Sequence, residues 1–208
     1  MRWPLIVVTT ALALSSGAAN AGCKEEVAAA FEKQRTSPAF RVQMSQPAMA
    51  GEISMTVDYL PPDRMIQTVN GPGMPSEQQT LVVGDRAFSG TAGAWQELLP
   101  QFSQSVVANV KSAVGQSQPN VGDFDCLGTV PYDGKDYLGY RTKPTPDAAT
   151  NKDAIARTLY VDAANGLPAF NIVAPMSASA PPVMKAVYSY PSDIVIEAPA
   201  NARVQGSK

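Results

Sequence analysis

Few residues in this chain could do chemistry. Two cysteines, Cys23 and Cys126, stand far apart, Asp123 and Asp125 stand close together, and there is no histidine. Without histidine no Ser-His or Cys-His nucleophile pair can be assembled. Gly-x-Ser-x-Gly, the P-loop pattern and Gly-x-Gly-x-x-Gly are absent, and Gly71-Pro72-Gly73 reads as a loop. No Asp/Glu pair sits in an apolar strand context, as a two-carboxylate hydrolase would need. Asp123 and Asp125 fall on one face of a strand start and suggest a cation site or an acid pair. No third acidic ligand or calcium-loop spacing accompanies them, so a solvated edge is expected. The chain reads as a non-enzyme with no cofactor and no metal site.

The N-terminus points to export. Arg2 is followed by an apolar run from Leu5 to Leu14 and by Ala19-Asn20-Ala21, the marks of a secretory signal peptide. The run is well short of the roughly 20 apolar residues that cross a bilayer, so no membrane span is expected in the mature chain. Gly22-Cys23 invites a lipoprotein reading, but Asn20 stands where a leucine-like residue would be needed, and cleavage after Ala21 is preferred. Losing Arg2 takes the net charge from -2 to -3. No basic block is present, which argues against nucleic-acid binding.

The two cysteines of an exported chain pair most simply as a disulfide. Closing so long a loop would contribute about 4–5 kcal/mol in the chain-entropy model. A lipid-modified Cys23 with a free Cys126, or a metal pair, are the competing readings. Length and charge allow one domain, and 18 prolines and 15 glycines suggest many short strands joined by turns.

Those strands, and two helices, must position whatever the chain binds. Cys23 to Arg35 reads as a helix with Val27, Ala30 and Phe31 on one side, acids early and bases late. Phe40, Val42 and Met44 alternate with polar residues, as do Ile53, Met55, Val57 and Tyr59, which predicts strands with one apolar face. Asp63 to Asn70, Gln78 to Val83 and Arg86 to Ser89 continue the meander around a Gly84-Asp85 turn. Pro100 to Val114 reads as a second helix, with Phe102, Val106, Val110 and Val114 recurring every four residues. Phe124–Val130, Lys135–Arg141, Arg157–Asp162, Ala169–Ala174, Val183–Tyr190 and Asp193–Glu197 read as further strands, with a turn at Asp133-Gly134. Lys143 to Asn151 reads as a loop.

The fold class expected is therefore α+β: a curled antiparallel sheet, a half-open β-barrel, capped on its concave face by two or three helices. A sheet of this many strands must curl, and the space the helices leave becomes an apolar cavity. Met44, Met55, Val57, Met65, Phe88, Trp95, Phe102 and Val106 are the candidates to line it, with ordinary core as the alternative for each.

In this order of parts the chain resembles the LolA/LppX/RseB-like lipoprotein-carrier superfamily of bacterial envelopes. The resemblance rests on the first helix leading into Phe40-x-Val42-x-Met44 and on the Tyr59-Leu60-Pro61-Pro62-Asp63-Arg64 corner. It extends through Leu81-Val82-Val83-Gly84-Asp85-Arg86-Ala87-Phe88 before Gly93-Ala94-Trp95, Leu159-Tyr160-Val161-Asp162 before Gly166-Leu167-Pro168, and Tyr188-x-Tyr190 before Ile194-x-Ile196 and Pro199. It implies a single half-barrel domain over residues 22–198, after a signal peptide at 1–21 and before a flexible tail at 199–208. It also implies a periplasmic carrier of a lipid, an acyl chain or an acylated protein, with Arg41 the candidate for the arginine that tethers the lid. The alternative is an envelope signalling or scaffold module of the same fold, with a protein partner and no transported ligand.

Overall fold

The computed structural model describes residues 22–115, 121–143, 154–176 and 181–204. The expected signal peptide and most of the loop from Lys143 to Asn151 lie outside them. Among the described residues there are two helices and one sheet of twelve strands.

Helix α1 (Cys23–Arg35) carries Glu25 and Glu26 in its first turn and Lys33 and Arg35 in its last, an order that opposes the backbone dipole. It stops because Thr36 Oγ1 and Ser37 Oγ donate to the last carbonyls, those of Glu32 and Lys33. Strands β1 (Phe40–Ala48), β2 (Gly51–Leu60), β3 (Arg64–Asn70), β4 (Gln78–Val83), β5 (Arg86–Thr91) and β6 (Ala94–Glu97) follow as an antiparallel meander. Gly84, at φ 62°, turns β4 into β5. The four-residue β6, which contains Trp95, was not expected as a strand.

Helix α2 (Pro100–Gly115) leads to a second meander: β7 (Phe124–Tyr132), β8 (Lys135–Thr142), β9 (Ile155–Val161), β10 (Pro168–Pro175) and β11 (Met184–Ser189). Asp133 and Gly134 join β7 to β8 with φ of 50° and 80°, the positive pair that a tight hairpin requires. β11 returns to pair with β1, with Val42 opposite Tyr188 and Met44 opposite Ala186. The strand order is β12-β6-β5-β4-β3-β2-β1-β11-β10-β9-β8-β7. The two meanders therefore meet in the middle of a curled, half-open sheet, and both helices lie on its concave face.

Alternation sorts side chains between the two faces. On the concave side Val42, Val57, Met65, Val82 and Ala87 pack with Val107, Val110 and Val114 of α2. Towards the other edge Leu159, Val161, Phe124 and Tyr140 pack with Val27 and Ala30 of α1. A covalent bond between Cys23 and Cys126 fastens the start of α1 to β7, so the Cys23 sulfur is not available for a lipid. The Tyr140 hydroxyl donates to Glu26 at 2.7 Å and ties the same helix to β8.

On the convex side the chain differs from expectation. Asp193–Glu197 is extended but belongs to no strand. It crosses the back of the sheet instead, where Ile194, Ile196, Ala198 and Ala202 cover Leu81, Phe88 and Trp95, and Arg64 donates to the Ile196 carbonyl at 2.8 Å. Residues 199–204, expected within the flexible tail, continue this strap to β12 (Arg203–Val204), which pairs in parallel with β6.

Candidate functional site

Between the two helices the concave face is hollow. β1 supplies Phe40, Val42 and Met44 to its floor, β2 supplies Tyr59, and β11 supplies Tyr188. Their spacing follows from the sequence, since alternate residues of one strand and their cross-strand partners must share a face. Phe40 and Tyr59, directly paired across β1 and β2, stack with ring centroids 4.7 Å apart. The last turns of α1 add Phe31, Gln34 and Arg35, α2 adds Ala113, and Val121 and Arg157 complete the wall. The cavity holds about 340 Å³. Hollows of about 500 and 510 Å³ beside α2 and beside β6 contain none of Phe40, Tyr59 or Tyr188.

The polar groups around the cavity are few and placed. Burial pushes the Tyr59 hydroxyl's pKa up, with Tyr188 adding to it. Burial also raises that of Tyr188, against the opposing pull of Asn171 and the Arg157 charge. Both hydroxyls are thus neutral at ordinary pH. Arg35 is paired with Glu32. Arg157 Nε donates to Asn171 Oδ1 at 2.8 Å, and its guanidinium carbon stands 5.3 Å from the centre of the Phe31 ring.

The expected cavity residues separate into distinct places. Met44 lines the hollow. Val57, opposite Val42, belongs with Met65 to the packed core beneath α2, and Met55, opposite Met44, borders it with Val106. Phe88 and Trp95 are on the convex side under the C-terminal strap, because they are out of phase with Ala87 along the meander. Phe102 is 55% exposed on the outer side of α2. Arg41 also faces away from the cavity. Its Nε and terminal nitrogen donate to Asp58 at 2.6 and 2.8 Å, which raises the guanidinium's pKa, and it cannot tether anything over the hollow. Asp123 and Asp125 are exposed and each lies 3.7 Å from a lysine, Lys24 and Lys143. No group of three possible metal ligands is found among the described residues.

Sequence reasoning overlooked Arg157, Tyr188, Gln34 and Arg35. A signal was there for the first: Arg157 precedes Leu159 and Val161 at the two-residue period and so must share their inward face.

No protein-family model matches this chain, and no curated protein does. Solved structures do. The Mycobacterium tuberculosis lipoprotein LppX matches 84% of this chain and 98% of its own, at 14% identity and a TM-score of 0.54. LprF from Mycobacterium bovis matches 86% of this chain and 97% of its own, at 11% identity and a TM-score of 0.52. The fold is LolA/LppX/RseB-like. In this half-barrel the cavity sits over β1, β2 and β11, between the two helices. No helix among the described residues is long and apolar enough to cross a membrane.

Proposed function

We propose that this protein is a non-enzymatic carrier outside the cytoplasm, in the periplasm, that holds an acyl chain or a lipid-like molecule in its concave cavity. The observation that carries the reading is the hollow of about 340 Å³ floored by Phe40, Val42, Met44, Tyr59 and Tyr188. Ligand cavities run from about 300 to 1,000 Å³, so this one suits a single chain better than a multi-acylated lipid. Apolar burial supplies the driving force, and the neutral tyrosine hydroxyls let the floor accept either a methylene chain or a hydrogen-bonding group. The signal-peptide pattern and the Cys23–Cys126 bond support an oxidising compartment.

The test is a chain-length series of single-chain amphiphiles measured by calorimetry on delipidated, disulfide-bonded protein. Each buried methylene should add about 0.8 kcal/mol, roughly a fourfold gain in affinity, until the hollow is full. Native mass spectrometry of protein taken directly from its exporting host should show a bound apolar mass. Flat affinity along the series, with a clean apo mass, would overturn the carrier reading in favour of a scaffold role.

A further inference from the structure

The cavity is apolar along its floor but cationic at one wall, and its two arginines are not alike. Arg35 is neutralised by Glu32 three residues earlier on the same helix. Arg157 has no acidic partner among the described residues. Its only side-chain hydrogen bond there runs from Nε to Asn171 Oδ1 at 2.8 Å. Asn171 is buried, 7% exposed, and neutral, so it orients the guanidinium without cancelling its charge. The guanidinium carbon stands 5.3 Å from the centre of the Phe31 ring, and the bond to Asn171 uses Nε alone, which leaves both terminal nitrogens for a partner. A half-buried cation with no counter-charge is costly to hold, and a planar fork of donors matches a carboxylate or phosphate in two-point fashion.

We propose that Arg157 is an anion-recognition residue, and that the cavity's ligand is a single-chain amphiphile with an oxyanion head, a carboxylate or phosphate. The head bonds to the two terminal nitrogens of Arg157 while the chain runs over Phe40, Val42, Met44 and Tyr59. This rests on the carrier reading and narrows it from apolar molecules in general to ionised ones. Asn171 is the positioning residue, because its Oδ1 accepts from Nε and so orients the guanidinium.

The experiment compares palmitate, hexadecyl phosphate and the uncharged hexadecanol on the full disulfide-bonded protein and on Arg157→Gln and Arg157→Lys. For wild type, both ionised probes should bind at least about tenfold tighter than the alcohol, the scale of a charge-assisted hydrogen bond. The margin should shrink at high salt. Arg157→Gln should erase the margin by weakening the two ionised probes far more than the alcohol, and Arg157→Lys should restore part of it. Palmitate preferred over hexadecyl phosphate, or the reverse, would say which oxyanion the site was shaped for and supports the proposal either way. Equal affinity for acid and alcohol in wild type overturns the proposal while leaving the carrier reading standing. So does an Arg157→Gln protein that loses all three probes equally, since that marks a structural arginine. Failure of wild type to bind any of the three overturns both.

Discussion

The two helices cover the same concave face by different means. α2 lies on small side chains, Val82 and Ala87, which are fully buried under Val107, Val110 and Val114. Its Ser103 Oγ accepts the Ala87 N–H at 3.0 Å, so the helix is held directly against β5. α1 lies on large ones, Leu159, Phe124 and Tyr140, and is fastened by a covalent bond at its first residue. Between them the floor is formed of Phe40, Met44, Tyr59 and Tyr188, with Phe31, Gln34 and Arg35 of α1 on one side and Ala113 of α2 on the other. The lesson is that the hollow comes from the spacing of two well-packed helices on a curved sheet. A loosely packed core did not produce it.

That contrast can be broken at four places. The largest effect is expected at the covalent link. Replacing Cys23 and Cys126 by serine should lower the unfolding free energy by about 4–5 kcal/mol, the loop-closure value for roughly 100 residues, as read by urea titration. A loss below about 1 kcal/mol would mean that packing alone anchors α1. Next comes Leu159→Ala, which empties a fully buried site under α1 and should cost about 2–5 kcal/mol.

The hollow itself should respond in the opposite sense. Met44→Trp adds volume where there is space, so stability should change by less than about 1.5 kcal/mol while affinity for a bound fatty acid falls at least tenfold in calorimetry. A large loss of stability instead would show that the region closes in solution. The smallest effect is expected in the turn after β9, at Asp162. Its carboxylate accepts Lys135 Nζ at 2.7 Å and the Ala164 N–H at 2.9 Å, and the lysine bond foremost holds its pKa below the usual value. A depressed carboxylate contributes stability above its unfolded pKa of about 3.9 and loses it as pH falls through the folded one. Asp162→Asn should therefore cost no more than about 1 kcal/mol at pH 7, with the difference from wild type vanishing near pH 2 in thermal melts. A difference that persists in acid would assign the effect to the turn and not to the charge.

Much of the architecture was legible because period-2 alternation is a direct consequence of one-sided burial. The first helix and the strand Gln78–Val83 fall where the pattern puts them. Asp193–Glu197 was misread for the same reason: a strap lying across a sheet also buries every second residue, here Ile196, and exposes the one before it, Val195. The pattern reports burial and cannot report which backbone is the partner. Phe102 failed on helix geometry. A four-residue step overshoots a turn of 3.6 residues by about 40°, so Phe102, three steps from Val114, has rotated by about 120° to the outside. The stripe that packs is Ser103, Val107, Val110 and Val114. The cavity's charged wall was least legible, since Arg157 and Asn171 meet only through the pairing of β9 with β10.

The strap also bears on the open edges of the sheet. A sheet that does not close has two outer strands, and each offers a row of backbone donors and acceptors to any extended chain. Beside β6 that row is met by the protein's own β12. At the far side β7 carries a register break between Cys126 and Gly128 and the covalent link to α1, both of which spoil it as a template. The last residues of the strap thus occupy, at Gln96 and Glu97, backbone groups that an incoming strand would need, and a change at Arg203 or Val204 would leave them open.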